Sequence, residues 1–341
     1  MQKKTFARLA LASACALTAL GAQAQASSAV NVYGLIDVSL SSIKARGATT
    51  RVTSVDNGNM TTSFWGISGT EDLGNGWSAG FKLEGFFRAD TGQTGRFTIA
   101  GTDDAMFSRN AHVSVSSKSL GTLTLGRQAP ALFVQSLLYN AFGDSFGYSP
   151  TIRHYYTSGT VTGDSGWNDA IGYSSPSFGG FRFGVASALG EDGTDGSNVG
   201  VNASYSSGPF SIAVAFQDVE KDGTTTNAAS VVDDTESYQL AGSYDFGVAK
   251  VFAQYGQVDN QTTGNEYKIS GIGARVPVGS GAFVAQYGKL NKKTGNDVDT
   301  LSVGYLHNLS KRTEVYATAM RDKEDTLSTG THYSLGIRHK F

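Results

Sequence analysis

Apolar and polar residues alternate along most of the chain, in short stretches separated by turns. Residues 77–84 alternate tryptophan, alanine, phenylalanine and leucine with serine, glycine, lysine and glutamate, and residues 210–217 show a similar alternation. At the carboxyl end, Tyr333, Leu335 and Phe341 share one parity, and most residues of the other parity are polar. A period of two residues predicts β-strands with one apolar face. Because these faces continue to a terminal phenylalanine, the pattern indicates a barrel that turns its outer surface to lipid.

The connections between these strands alternate between short turns and longer polar loops. With about sixteen strands, this alternation predicts an all-β fold: a sixteen-stranded antiparallel transmembrane β-barrel with short periplasmic turns and longer extracellular loops. A barrel of this size encloses an aqueous channel. A soluble β-sandwich or solenoid is the alternative, but it gives no reason for turns and loops to alternate. The predicted turns are residues 71–76, 116–121, 175–180, 206–209, 245–247, 278–281 and 308–311, and the predicted loops are residues 41–60, 89–104, 129–166, 190–197, 219–235, 259–265, 291–297 and 321–330.

The amino terminus predicts a cleaved secretory signal peptide, residues 1–24, followed by a barrel domain, residues 25–341. Lys3, Lys4 and Arg8 precede an apolar run, and small residues frame the cleavage site; a second acceptable site moves the boundary to residue 26. A membrane anchor is the alternative, but about twelve apolar residues are too few to cross a bilayer core. The chain is therefore expected to be exported to the cell outer membrane.

The single cysteine, Cys15, lies within this segment. A lipoprotein signal is a poor match there, because Ala12 stands where a large aliphatic residue is usual. Cleavage at the later site removes Cys15, so we expect no disulfide or cysteine chemistry in the mature chain.

Composition agrees with a barrel. The 43 glycines against 5 prolines suit closely paired strands, and 15 tyrosines and 19 phenylalanines suit aromatic girdles at the membrane interfaces. No mature stretch approaches eighteen consecutive apolar residues, which excludes spanning helices. Loss of the signal peptide lowers the 27 basic residues to 24 against 29 acids, a formal charge of −5, so no nucleic-acid partner is indicated.

The longest connection, residues 129–166, is the third long loop. It carries Asp144, Arg153 and His154 together with four tyrosines among glycines. A loop of this length is usually functional or disordered, and its aromatic content favours packing. We expect it to fold into the lumen and narrow it, with simple exposure at the cell surface as the alternative.

Several motifs, in this order along the chain, resemble those of the trimeric general porins of Gram-negative bacteria, in the betaproteobacterial branch. The resemblance covers essentially the whole mature chain and implies a homotrimer of barrels in outer-membrane lipid and lipopolysaccharide. It also implies that Phe341 is the signal read by the barrel-assembly machinery. The motifs are VYGLID at residues 32–37, GTEDLGNG at 69–76, LGRQ at 125–128, YSSPSFGGF at 173–181, NLSKRTEVYA at 308–317 and GIRHKF at 336–341.

The resemblance further implies a constriction where basic residues of the barrel wall oppose acids of the third loop, creating a transverse field. Asp144 is the expected acid, with Arg153 as a base that could oppose it. The wall candidates are Lys82, Glu84 and Arg88, which share the inward parity of their strand, and Arg109 and Arg127, which match basic positions of the family. Parity places Arg109 and Arg127 with outward apolar neighbours, so they require a bulge or a position above the membrane.

One position departs from the family. Where the family commonly has arginine, this chain has Phe64, whose parity points into the lumen towards Tyr33 on the preceding strand. An aromatic pair in a pore could stack on a sugar or aromatic solute. A neutral change of a wall residue is the alternative, since single exposed aromatics are common.

No motif predicts catalysis, a cofactor or a metal. Residues 143–147, GDSFG, match the serine-hydrolase elbow pattern but lack the strand before it and the helix after it. The histidines show no zinc-ligand spacing. Residues 190–196 alternate acids and glycines but lack the terminal carboxylate of a calcium loop.

The sequence therefore predicts a water-filled channel for passive diffusion of small hydrophilic solutes and ions. One alternative is a porin that prefers sugar or aromatic solutes. Another is a structural or adhesive surface barrel, which the modest length of most loops disfavours.

Overall fold

The computed structural model describes residues 29–96, 104–157, 165–190, 196–220 and 234–341. In these ranges the chain forms seventeen strands and two helices. Neither helix is long and apolar enough to span a membrane. The predicted signal peptide lies outside the described residues. The elements are β1 (Ala29–Lys44), β2 (Val52–Asn57), β3 (Phe64–Gly74), β4 (Trp77–Phe86), β5 (Asn110–Ser117), β6 (Gly121–Arg127), α1 (Ala131–Leu138), α2 (Pro150–Tyr156), β7 (Ala170–Ser174), β8 (Phe181–Ala188), β9 (Asn198–Ser207), β10 (Phe210–Val219), β11 (Thr235–Asp245), β12 (Lys250–Asn260), β13 (Glu266–Val278), β14 (Gly281–Lys292), β15 (Val298–Asn308), β16 (Thr313–Glu324) and β17 (Gly330–Lys340).

All strands belong to one antiparallel sheet that closes between β1 and β17. On its other side β1 pairs with two strands, with β3 along its first half and with β2 along its second half. β2 and β3 are therefore one strand of the wall, interrupted at residues 58–63, and the closed barrel has sixteen wall strands. This confirms the predicted sixteen-stranded barrel.

The two faces of each strand differ as the alternation predicts. On β17, Leu335 is 64% exposed and faces outward, whereas its neighbour Ser334 is 3% exposed and faces inward. On β10, Phe210 and Ile212 are exposed on the outside, and Gln217 is buried on the inside. The outer surface is thus apolar and the inner surface largely polar, as a barrel in lipid requires.

The strands extend further into the predicted loops than alternation indicates. Residues 41–60 are expected to form a loop, but β1 continues to Lys44 and β2 begins at Val52, so only residues 45–51 reverse the chain. The loops expected at residues 291–297 and 321–330 are shortened in the same way. Beyond the bilayer both faces of a strand can be polar, so backbone pairing continues after the alternation has ended.

The connection between β6 and β7 enters the barrel, which confirms the prediction of a third loop folded into the lumen. α1 packs against the inner face of β9, β10 and β11, and α2 packs against β13, β14 and β15. Between them, Phe142 and Tyr148 join inward side chains such as Phe252 and Leu306 in a buried apolar cluster. The loop therefore fills one side of the lumen and leaves open the side formed by β3 to β8.

Candidate pore lining and constriction

Helix α2 packs closely against a row of glycines on the inner wall. Gly271 on β13 and Gly288 on β14 lie directly opposite each other in the sheet. A Cβ at Gly271 would collide with the methyl group of Thr151, and a Cβ at Gly288 would lie 2.6 Å from the Cβ of Pro150. Side chains at these positions would hold the helix away from the wall, so the glycines allow its close approach.

Buried amides hold the third loop in register. The hydroxyl of Thr151 accepts hydrogen bonds from the Nε2 atoms of Gln254 and Gln286, each at 2.9 Å. The Oε1 of Gln286 accepts from the backbone N–H of Ala141 at 3.2 Å. Because a buried amide is costly without partners, these contacts favour one position of the loop over others.

The interruption between β2 and β3 folds towards the lumen around Asp37. This carboxylate is fully buried and accepts hydrogen bonds from the backbone N–H groups of Met60 and Thr61, each at 2.7 Å. The hydroxyl of Tyr316 donates to its second oxygen at 2.7 Å. Asp37 thereby replaces the backbone partners that residues 58–63 lose when they leave the sheet.

The tip of the third loop rests on this inward segment. The carbonyl of Asn59 accepts from the hydroxyl of Ser145 at 2.7 Å and from the N–H of Gly147 at 3.2 Å. Close by, the hydroxyls of Tyr148 and Ser334 form a hydrogen bond. The loop therefore crosses the lumen from β9–β11 to the closing strands β1 and β17.

Asp144 and Arg153 do not oppose each other as expected. Asp144 accepts a hydrogen bond from the hydroxyl of Thr61 at 2.9 Å, and that hydroxyl accepts one from Arg338 at 2.7 Å. Arg153 instead pairs with Asp322 on β16 at 3.5 Å. The reason is local: α2 carries Arg153 to the inner face of β16, where its guanidinium pairs with Asp322 and donates to the carbonyl of Gly147 at 3.4 Å, so its charge is not directed at Asp144.

Three predicted pore residues, Tyr33, Phe64 and Arg109, lie around a fourth, Glu84 on β4, which is 2% exposed. Its carboxylate accepts from the hydroxyl of Tyr33 at 2.6 Å, from Asn110 and from Arg109, with which it forms an ion pair. The guanidinium of Arg109 lies 4.2 Å from the ring centroid of Phe64, whose ring meets that of Tyr33 edge to face at 6.3 Å. The structure places Arg109 just before β5, where it turns inward despite its parity.

The three remaining wall candidates differ from one another. Lys82 is half-buried on the inner face, in one row with Ser68 and His112, and makes no ion pair within the described ranges. Arg88, 7% exposed, donates to the carbonyl of Thr94 at 3.4 Å above β4.

Arg127 fastens the end of the third loop. Its guanidinium donates to the carbonyls of Ser108 and Gly166 and to the side chain of Asn168, at 2.6 to 3.0 Å. Arg88 and Arg127 thus hold loops at the rim, whereas Lys82 lies on the open wall.

The inward residues Asp37 and Arg338 are parts of the site that the sequence pattern alone does not single out. Both lie within family motifs, at residues 32–37 and 336–341, and both have inward parity. Inward parity within a motif is the signal that would have found them. Asn59 carries no such signal, because its position depends on a break in the strand.

The open wall is lined by small side chains. Thr122, Ser174, Gly184 and Asn202 form one row across β6 to β9. Within the described ranges, no group of three histidine, cysteine or acidic side chains could hold a metal ion. A smooth polar wall opposite the third loop is suited to the passage of hydrated solutes.

The sequence profile described as Gram-negative porin matches residues 10–327. The chain belongs to the Gram-negative porin family. An outer membrane porin protein of Bordetella pertussis is 29% identical over 97% of this chain and 99% of its own length. Outer membrane porin protein 32 of Delftia acidovorans is 29% identical over 96% of this chain and 98% of its own.

Solved structures of outer-membrane proteins have the same barrel fold. The anion-selective porin from Comamonas acidovorans superposes with a TM-score of 0.79 at 27% identity, covering 92% of this chain and all of that one. OmpT of Vibrio cholerae, in its L8-deletion form, shares the fold with a TM-score of 0.69 at 15% identity, over 92% of this chain and 99% of its own. This porin is thus an outer-membrane channel for passive diffusion.

Proposed function

We propose that this porin conducts small hydrophilic solutes with a preference for anions, through the side of the lumen formed by β3 to β8. The supporting observation is the state of the charges on that side. Glu84 is buried and paired with Arg109, while Lys82 on β4 and Arg182, which has inward parity on β8, make no ion pair within the described ranges. Asp72, at the turn end of β3, also has inward parity and offsets one of these two charges, so the field of the open wall stays positive by one charge, which favours anions.

The similarity to an anion-selective porin of Comamonas acidovorans supports the same preference. In our proposal Lys82, Arg109, Tyr33 and Phe64 line the open passage, and Asp144 with its Thr61 contact borders it. Arg88, Arg127 and Arg153 act by holding loops. Because Arg109 covers the face of Phe64, that ring is not an open platform for a sugar.

A non-enzymatic role is part of this proposal. In the GDSFG motif Ser145 is fully buried, and its hydroxyl donates to the carbonyl of Asn59 and accepts from the N–H of Tyr148. Its hydroxyl is engaged in holding the loop tip, whereas a catalytic serine must be open to its substrate and next to a base. We also propose that the channel uses no cofactor.

Assembly and export complete the proposal: a signal peptide of residues 1–24, a homotrimer in outer-membrane lipid and lipopolysaccharide, and recognition of Phe341 by the barrel-assembly machinery. Phe341 exchanges two backbone hydrogen bonds with Gly34 at 3.1 and 3.2 Å, and its ring covers that glycine. The terminal residue thus closes the barrel, which supports a role in its assembly.

The test is single-channel recording of the purified protein in a planar bilayer, with reversal potential measured under a KCl gradient. We expect current steps in groups of three and a potential of the sign given by chloride preference. A potential of the opposite sign would reject anion preference. Folded barrels that give no steps would indicate a structural or adhesive surface protein instead.

A further inference from the structure

Helix α1 turns an apolar face towards the open lumen. Its sequence, ALFVQSLL, has no charged residue. Leu132, Gln135 and Ser136 are buried, and the side chain of Gln135 donates to backbone carbonyls of β10 and β11. On the other side, Val134 is 39% exposed and Leu138 is 64% exposed. A helix beside water normally turns its polar side outward, so this reversed orientation calls for a ligand with an apolar part.

The exposed face borders a cavity of about 240 Å³ between α1 and the wall strands β7, β8 and β9. Val134 and Leu138 line one side, and Gly172, Gly184 and Asn202 line the other. A Cβ at Gly184 would lie 2.6 Å from the Oδ1 of Asn202, so the absence of a side chain lets this amide lie flat against the wall. The result is a slot with one apolar side and one flat polar side.

A cationic residue neighbours the residues that line this slot. Arg182 lies two residues before Gly184 on β8, on the same inward face, and pairs with Ser204 of β9. Asn202 is its diagonal neighbour, about 7 to 8 Å away between Cα atoms, which an arginine side chain can span. Arg182 is exposed, and it has no ion pair or hydrogen bond within the part of the chain that the structure describes.

We propose that this slot is a binding site for small aromatic monocarboxylates, anions the size of benzoate. The ring would lie between Leu138 and the glycine wall, and the carboxylate would accept hydrogen bonds from Arg182 and Asn202. One cation fits one carboxylate, and the flat slot fits a planar ring. Binding at such a site concentrates the solute in the passage while leaving it free to exit. The proposal rests on the proposed function, because it requires an open channel.

The experiment records single-channel current in KCl before and after addition of benzoate, acetate or benzyl alcohol. The KCl current alone tests the channel, so failure of the proposed function is seen before any organic solute is added. We expect benzoate to produce concentration-dependent interruptions of the current. Acetate, which lacks the ring, and benzyl alcohol, which lacks the charge, are expected to produce few. Equal effects of benzoate and acetate would overturn the proposal.

Two variants locate the site. Leu138→Ser removes the apolar contact and is expected to weaken benzoate binding about fivefold. Arg182→Gln is expected to weaken it by a similar or larger factor, and Arg182→Lys to retain part of the binding. The matched controls are Leu120→Ser in an exposed turn and Arg275→Gln on the inner face of β13. Benzoate binding that persists unchanged in both Leu138→Ser and Arg182→Gln, in channels that still open in KCl, would place the binding elsewhere and overturn the proposal.

Discussion

At the scale of single residues, the charge that a solute meets depends on which ionised groups are already paired. Glu84 has the inward parity of a pore residue, yet Tyr33, Arg109 and Asn110 surround its carboxylate. A buried charge persists only where such partners compensate for the water it has lost. The pair of Glu84 and Arg109 therefore adds little net charge to the passage, whereas Lys82 adds a full one.

Replacing Glu84 with glutamine tests this pairing. The amide keeps the size of the side chain but leaves the charge of Arg109 uncompensated, so we expect a stronger preference for anions. A unit charge about 6 Å from an ion in water changes its energy by about 0.7 kcal/mol, which corresponds to about threefold in anion permeability. The reversal potential under a KCl gradient measures the change.

The control for Glu84→Gln is Glu71→Gln, which removes an exposed acid at the far end of β3. We expect this control to change the reversal potential much less. Equal shifts of the reversal potential in the two variants would show that Glu84 influences ion selectivity no more than an exposed acid far from the passage.

Parity within a strand was sufficient to predict the inward direction of Lys82, Glu84 and Phe64. It was not sufficient for Arg109, which lies beyond the end of its strand, or for Arg153, which lies on a helix within a loop. The direction of such side chains depends on tertiary contacts, here with Glu84 and Asp322. A repeat of two residues holds no information about those contacts.

At the scale of elements, the position of α2 depends on glycines that lie far away in sequence. Gly256, Gly271 and Gly288 come from three consecutive strands, and each leaves room for a residue of the helix. The sequence shows many glycines but not which of them face the loop. The length and aromatic content of the loop predicted that it packs inside the barrel. The surface on which α2 packs could not be predicted, because it depends on the register that brings these three glycines together.

A side chain at Gly271 is expected to displace α2. In Gly271→Val, the new Cβ would collide with Thr151, at an overpacking cost of about 1 to 3 kcal/mol. The loop would move into the lumen or out of its seat, and single-channel conductance and the size limit for sugars would change. Liposome swelling with sugars of increasing size measures that limit.

The matched control is Gly242→Val on β11, where a Cβ would meet only the carbonyl oxygen of Ser211 at 3.4 Å. It adds the same side chain to a strand without touching the loop. If conductance and the size limit for sugars were identical in the two variants, the glycines beneath α2 would not determine the position of the loop.

His154 makes the docking of α2 sensitive to pH. The side chain is 1% exposed, and burial lowers its pKa to about 4 from an ordinary 6.5. Nearby Arg153 and Arg46 also disfavour its protonation, while Asp322 favours it. Below pH 6.5 the undocked loop binds a proton that the docked loop does not, so docking weakens as pH falls from 6.5 to about 4.

Over that interval we expect the docked state to lose about 3 kcal/mol relative to the undocked state. Frequent closures or unstable conductance in single-channel records at pH 4 to 5 would report the change. His154→Gln is expected to lessen the pH dependence, and His339→Gln, at an exposed site, to keep it. An unaltered response in His154→Gln would assign the acid sensitivity to another group.

At the scale of the whole molecule, the barrel is divided into a filled side and an open side. The number of strands, the alternation of turns and loops and the inward third loop could all be predicted, because each leaves a periodic or compositional signal. The division could not be predicted, since it arises where Phe142 and Tyr148 meet inward side chains of β12 to β16. Selectivity should therefore depend on which strand carries a charge, not only on its inward parity.

Two inward lysines on opposite sides of the barrel test this dependence. Lys82 on β4 lies on the open wall, whereas Lys250 on β12 lies with its Nζ 5.3 Å from the ring centroid of Phe252, part of the filled side. We expect Lys82→Gln to lower anion preference about threefold, by the Coulomb energy of one charge near the passage. Lys250→Gln removes the same charge where the path of ions is blocked, so we expect a much smaller shift of the reversal potential. Equal shifts would mean that ions pass along both sides, and that the third loop does not confine the channel to β3 to β8.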